Sequence, residues 1–312
     1  MKAAIINKAG DKPVYGEFSD PRADEHQVVV TVKAAAISQL AKSRAAGRHY
    51  SSVTTYPFIP GIDGTGYLPN GESVYFVTFN TPWGSMAEKT LISPDNAVRL
   101  PATLDPVLAA AIANPGMSSW TALTRRAYLR KGETVLINGA TGTSGSLAIR
   151  VARSLGAGKI IATGRNKDIL EKLHNEGADV VLTLDSLSTQ LPALMAEGVD
   201  VVLDYLWGQS ALDIMNAAAA GGTKTVRYVQ IGSLSGQEIT LHSKLLRSSG
   251  LTLMGSGLGS VSDAELITAI SEFFQAASKS DLSVPFITKH LDEVENAWSE
   301  DDSRCRTVFI IG

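Results

Sequence analysis

Two hydrophobic rhythms divide this chain. From residue 134 onward, short apolar runs alternate with stretches of helical spacing. Val135-Leu136-Ile137 is too short for a helix and is bounded by turn residues, which predicts a buried strand. Leu147, Ala148, Val151, Ala152 and Leu155 then recur at helical spacing, Gly156 supplies a C-cap, and Ile160-Ile161-Ala162 is the next strand. A helix containing Leu170 and Leu173 ends near Gly177, and further strands are predicted at 180–182, 199–203, 225–231 and 251–254. Alternating strands and helices predict a doubly wound parallel sheet. Before residue 134 the runs are strand-like, at 3–6, 28–32, 71–79 and 84–92, with a short helix at 37–45 ending at Gly47. This spacing suggests a small barrel-like domain. A helix over 104–123, interrupted near Pro115-Gly116, leads into the alternating part, and 264–277 (helix) and 307–311 (strand) close the chain.

Composition narrows the class. The chain has 312 residues, 44% hydrophobic, and a formal net charge of −3, which describes an ordinary globular protein with a length prior of about two domains. No basic cluster suggests nucleic acid or an anionic membrane surface. A single cysteine, Cys305, excludes an intrachain disulfide and a cysteine-based zinc site. Neither a signal peptide nor a membrane-spanning run is recognisable, so a cytoplasmic setting is expected.

The candidate chemistry lies between the first two strands of the alternating part. Gly139-Ala140-Thr141-Gly142-Thr143-Ser144-Gly145 joins strand to helix. Glycines there let backbone approach a pyrophosphate, and the helix N-terminus favours its charge. An ordinary tight turn needs only one glycine. The motif departs from G-x-G-x-x-G at Ala140. An NAD site would place a carboxylate at the end of the second strand, about twenty residues past the glycines, to hold the ribose 2′-hydroxyl. This chain has Gly164-Arg165-Asn166-Lys167 there, with no acid before Asp168. A glycine leaving room and two cationic donors favour a 2′-phosphate, hence NADPH. The rule that ligands sit beyond the carboxyl ends of parallel strands nominates 204–208, Gly232-Ser233 and Gly255-Ser256-Gly257 as well.

In their order along nearly the whole chain, the motifs resemble the medium-chain dehydrogenase/reductase superfamily, and within it the zinc-free quinone oxidoreductase branch. Residues 60–66, PGIDGTG, resemble the P-G-x-E-x-x-G turn; 71–74 resemble G-D-x-V; 84–88 resemble G-x-x-A-E; 116–123 resemble G-L-T-A-[WY]-x-A-L. Residues 139–145 are similar to the branch's G-A-[AS]-G-x-V-G, which accounts for Ala140, and 199–204 match V-D-V-V-x-D. The resemblance implies an α/β fold: a β-rich GroES-like barrel over 1–117 and 256–312, and a Rossmann domain over 118–255.

It further implies hydride transfer from NADPH to quinones or α,β-unsaturated carbonyls, without metal. The zinc-ligand positions of the metal-dependent members fall on Ser38, Ile62-Asp63 and about Asn114, and the histidines at 26, 49, 174, 242 and 290 show no i, i+4 pairing. Without a metal, a donor must stabilise the developing oxyanion; Tyr50 is the candidate, with packing as its alternative role, and Tyr56 and His49 are substitutes. Ser38, Ser118, Gln230, Ser233 and the turn at Gly255-Ser256 would touch the nicotinamide half. Trp120, Tyr205 and Trp207 are candidate pocket walls or packing residues. Where the branch shows I-N-x-x-D, this chain has Ser38 and Ala41. An enoyl-thioester reductase, and a non-catalytic NADPH-binding sensor or structural protein, are the alternatives. The edge strand at 251–254 suggests a homodimer.

Overall fold

The N-terminal apolar run folds back on its nearest neighbour. In the computed structural model, which describes residues 1–49, 51–78, 82–221, 224–302 and 304–312, β1 (Lys2–Ile5) pairs antiparallel with β2 (Val14–Glu17). β3 (Val28–Ala36) extends past its predicted end at 32, because Ala34, Ala35 and Ala36 are buried and carry the ladder onward. α1 (Gln39–Ala45) follows, and β4 (Asp63–Tyr67), β5 (Ser73–Val77), β6 (Lys89–Ile92) and β7 (Ala97–Arg99) continue the β-rich part.

α2 (Pro106–Thr121) corrects the expected interruption at Pro115-Gly116: it runs through both residues as one helix. Pro115 removes one intrahelical donor, but Ala109 to Ala113 anchor the preceding turns in the core with at most 1% exposure each. The Ser118 and Ser119 hydroxyls bond back to the Pro115 and Gly116 carbonyls at 2.8 and 3.1 Å. Burial outweighs the lost hydrogen bond.

The alternating part comprises β8 (Thr134–Asn138), α3 (Thr143–Ser154), β9 (Lys159–Gly164), α4 (Lys167–Asn175), β10 (Val180–Thr183), α5 (Leu187–Glu197), β11 (Val201–Asp204), α6 (Gly208–Ala220), β12 (Thr225–Gln230), α7 (Ser243–Arg247) and β13 (Gly250–Gly255). These strands form one parallel sheet in the order β10-β9-β8-β11-β12-β13. This is the doubly wound order, with the switch point between β8 and β11. Leu136, Ile161, Val202 and Tyr228 are fully buried or nearly so on one face, against Leu187, Leu191, Ile214 and Met215. Val135, Ile160 and Val201 are equally buried, as strands covered on both faces must be.

α8 (Asp263–Ala277) leads to β14 (Phe286–His290), α9 (Val294–Glu300) and β15 (Arg306–Ile310). Among the described residues the second large sheet runs β14-β15-β3-β4-β5-β7, with β6 also on β3, and is antiparallel apart from β14-β15. β14 was not legible in the sequence: its polar alternation suits an edge and resembles a loop. The chain divides into two compact units, Met1–Asn114 with Ile270–Gly312, and Pro115–Ala269. No helix among the described residues is long and apolar enough to cross a membrane.

Candidate functional site

β8 leaves its sheet at Asn138 and turns into α3 through four residues, where each glycine has its own physical reason. Gly139 adopts φ +93°, and a Cβ on it would stand 2.9 Å from Leu206 Cγ. The Gly139 and Ala140 N–H groups both donate to the Thr163 carbonyl, at 3.1 and 2.8 Å. Gly145 lies in the first turn of α3, where a Cβ would come within 2.3 Å of the Gly139 carbonyl oxygen, so helix and turn touch only because it is absent. Gly142, the N-cap, differs. An added Cβ there would meet nothing nearer than 3.9 Å, so packing does not demand a glycine, and the missing side chain leaves the backbone open to a ligand. Gly142 offers no side chain to cap α3. The leading N–H groups of a helix have no acceptor within it, and this end, flanked by Thr141, Thr143 and Ser144, has the donor set and the open approach that a diphosphate needs.

At the end of β9, Arg165 and Lys167 are exposed and neither is drawn into an ion pair among the described residues. Asn166 caps α4, its Oδ1 accepting from Ile169 N–H at 3.0 Å. Gly164 has a packing reason that the sequence did not show. A Cβ on it would strike Thr141 Cγ2 at 2.4 Å, so the glycine makes way for Thr141. The cationic pair beside it still fits an anionic ribose substituent, and no carboxylate precedes Asp168.

Beneath these loops lies a buried polar network. Asn138, Thr163 and Asp204, in register at the ends of β8, β9 and β11, are all fully buried. Asn138 Nδ2 donates to Asp204 Oδ1 at 2.7 Å and to Ser210 Oγ at 2.9 Å, and Thr163 Oγ1 donates to Asn138 Oδ1 at 2.8 Å. Asp204 also accepts from Tyr228 Oη at 2.7 Å, from Leu206 N–H at 2.9 Å and from Trp207 N–H at 3.1 Å. Burial raises the Asp204 pKa, and these donors offset only part of the rise. Trp207 has φ +61°, costly for a non-glycine residue, and the carboxylate grip on its N–H holds it there. Only Asp204 was nominated from the sequence. The signal for the others was present: three adjacent apolar strands each end on a polar residue.

The remaining predicted residues of this unit gather at the same sheet ends. Tyr205 is buried, its pKa pushed up to about 12 by desolvation, and its hydroxyl meets Ser118 Oγ at 3.4 Å. A Cβ on Gly232 would stand 2.7 Å from the Tyr205 carbonyl oxygen, which makes the β11 and β12 loops neighbours. Gln230 Nε2 donates to the Gly232 carbonyl at 3.0 Å, and Ser256 N–H to the Gln230 carbonyl at 2.8 Å. Ser233 is half-buried, whereas Gly255 is exposed and faces open space. Trp120 is buried, and half-buried Trp207 packs on the core under α5 and α6.

In the other unit, Ser38 serves as N-cap of α1, its Oγ accepting from Ala41 N–H at 3.0 Å. Tyr50, the proton-donor candidate, lies outside the described residues. Tyr56 is half-buried, its hydroxyl donating to the Val53 carbonyl at 3.1 Å and its ring 5.5 Å from Phe58. The His49 pKa is lowered by burial and by the nearby Arg44. A small recess, about half open to solvent, has walls from Val53, Phe58, Ile59 and Trp83. Among the described residues, Tyr56, Trp120, Tyr205 and Trp207 are not part of its lining. Its lining comes entirely from residues 41–84, from several turns and element ends that only the folded chain brings together. Among the described residues no three His, Cys, Asp or Glu side chains cluster as a metal site would require.

A doubly wound sheet with an open, glycine-built helix start at its switch point defines a dinucleotide-binding protein. Residues 145–275 match the family model described as zinc-binding dehydrogenase. The "Probable NADPH-dependent quinone reductase tdiC" of Emericella nidulans is 28% identical over 100% of both chains. The "Quinone oxidoreductase" of Homo sapiens is 26% identical over 82% of this chain and 81% of its own. The quinone oxidoreductase of Thermus thermophilus, solved alone and with NADPH, superposes with a TM-score of 0.81 over 100% of both chains at 24% identity, a likeness of fold. The chain is thus similar to zinc-binding dehydrogenases over 145–275 and to quinone oxidoreductases over most of its length, and these likenesses support the quinone oxidoreductase-like branch of the medium-chain dehydrogenase/reductase superfamily.

Proposed function

We propose that this protein is an NADPH-dependent reductase that delivers hydride, without a metal, to quinones or other α,β-unsaturated carbonyls. The observation that carries the reading is the β8–α3 turn with Arg165 and Lys167 beside it: a glycine-lined helix start for a diphosphate, and two exposed cations in no ion pair among the described residues for a 2′-phosphate. Relatives named as NADPH-dependent quinone reductase and quinone oxidoreductase support the choice of cofactor and acceptor.

When bound, NADPH supplies the hydride. Gly139, Ala140, Thr141, Gly142, Thr143, Ser144 and Gly145 hold the diphosphate, while Gly164, Arg165, Asn166 and Lys167 border the ribose phosphate. Ser38, Ser118, Gln230, Gly232, Ser233, Gly255 and Ser256 surround the nicotinamide half. Tyr50 donates a hydrogen bond, and then a proton, to the substrate carbonyl oxygen as charge builds there. Tyr56, Trp120, Tyr205 and Trp207 bound the acceptor. The nucleotide role falls to 118–255, the acceptor role to 1–117 with 256–312, and two copies pair along the outer edge of β13.

Steady-state NADPH oxidation with a panel of quinones and enones tests this reading. Turnover of at least one class is expected. Tight NADPH binding without turnover of any acceptor would overturn it in favour of a non-catalytic binding protein, and activity confined to enoyl thioesters would redirect it. Tyr50→Phe is expected to lower kcat by roughly 100-fold, in the range of a lost general acid, with little change in NADPH affinity. An unchanged kcat would remove Tyr50 from the chemistry.

A further inference from the structure

The pocket of the 1–114 and 270–312 unit has an electrostatic property that the quinone reading does not require. Its walls are apolar at Val53, Phe58, Ile59 and Trp83, and Arg44 is the one charged residue among the described residues that line it. Ala41, where the family pattern carries an acid, lines it too, so the wall contributes no carboxylate. Arg44 Nε donates to the Ser51 carbonyl at 3.0 Å, which fixes the guanidinium at the pocket. Its terminal nitrogens take part in no ion pair among the described residues. Thr78, the hydroxyl in the lining, gives its proton to the Trp83 and Leu91 carbonyls, at 3.1 and 3.2 Å.

A half-buried guanidinium has lost part of its hydration, and a low-dielectric wall strengthens its field. Burial moves the Arg44 pKa downward with no carboxylate offsetting it. Among the described residues the guanidinium meets no carboxylate, and its planar fork matches an incoming one with two parallel donors. The apolar surroundings call for a flat hydrocarbon body attached to it.

We infer that this pocket takes a small planar quinone or enone bearing a carboxylate or another anionic oxygen, and that Arg44 selects it. The inference rests on the acceptor site proposed above, and its test is separate from turnover. Binding of naphthoate and of its methyl ester to the NADPH-loaded protein is measured by titration calorimetry. The acid is expected to bind at least about tenfold more tightly than the ester, the equivalent of one charge-assisted contact. That ratio falls towards one in Arg44→Gln and survives in Arg44→Lys, with circular dichroism checking the fold of both variants. Naphthoate is also expected to compete with quinone in the steady-state assay. Equal binding of acid and ester by the unaltered protein, or no saturable binding of the acid, overturns the inference without recourse to a variant. If no quinone is reduced, the reaction assignment fails while the binding ratio still decides the role of Arg44.

Discussion

Asp204→Ala is expected to destabilise the Pro115–Ala269 unit by about 4 kcal/mol, at the top of the usual range for single substitutions. The substitution leaves Tyr228 Oη, buried at 0% exposure, without an acceptor, and removes the partner of the Leu206 and Trp207 N–H groups. Asn138 Nδ2 keeps only Ser210. Each orphaned buried donor costs about 1–3 kcal/mol, and Trp207 loses the contact that holds its positive φ. Asp204→Asn is the informative control. Its amide oxygen still accepts from the loop and its charge is gone, so the burial cost that raises the Asp204 pKa disappears with it. The asparagine variant is therefore expected to lose about 1–2 kcal/mol. Thermal melts monitored by calorimetry check the pair. An alanine variant melting with the parent would mean that the network does not hold the loops.

The second large effect depends on pH and arises in the other unit. Asp63 is fully enclosed and accepts from Tyr75 Oη at 3.2 Å. Burial raises its pKa to about 6 from 3.8; the field of buried Arg306 and the Tyr75 hydrogen bond pull the other way but do not win. A folded pKa above the unfolded one means that the folded state binds more protons across the interval. The contribution of Asp63 to stability is thus fully present below about pH 4 and is lost as pH rises through about 6, by on the order of 3 kcal/mol. Asp63→Asn removes this dependence. Relative to the parent, the variant is expected to gain that amount between acid and neutral pH, measured by denaturant melts at several pH values. A difference that stayed constant with pH would show that Asp63 ionises as an ordinary exposed carboxylate does. The comparison uses a difference because exposed acids such as Asp20, held low at about 2 by Lys89 and the N-terminus, tilt both proteins alike.

How much of this was legible in the sequence depends on how local its cause was. The β8–α3–β9 unit was readable because apolar periodicity, three glycines and a C-cap lie within about thirty residues, and each acts on its immediate neighbours. The doubly wound parallel sheet followed from the same alternation, and its strand order came from the structure. Pro115 misled because its local cost is real, but the burial that overrides it comes from distant residues. The packing reason for Gly164 was hidden, since the side chain beside it, Thr141, belongs to another loop. The Asn138–Asp204 network and the pocket with Arg44 depend on segments brought together only by the tertiary fold. A residue such as Arg44 reads, in sequence, like any other surface cation.

The central claim is that the nucleotide site is built for NADPH, and the dissociation constants of NADPH and NADH for the parent protein and for Arg165→Ala test it most directly. The parent is expected to prefer NADPH by at least about tenfold, and Arg165→Ala to weaken NADPH by about 10- to 100-fold, as the loss of one charge-assisted contact to phosphate predicts, while leaving NADH nearly unchanged. Equal affinity of the parent for the two cofactors, or an NADPH constant indifferent to Arg165→Ala, would contradict it.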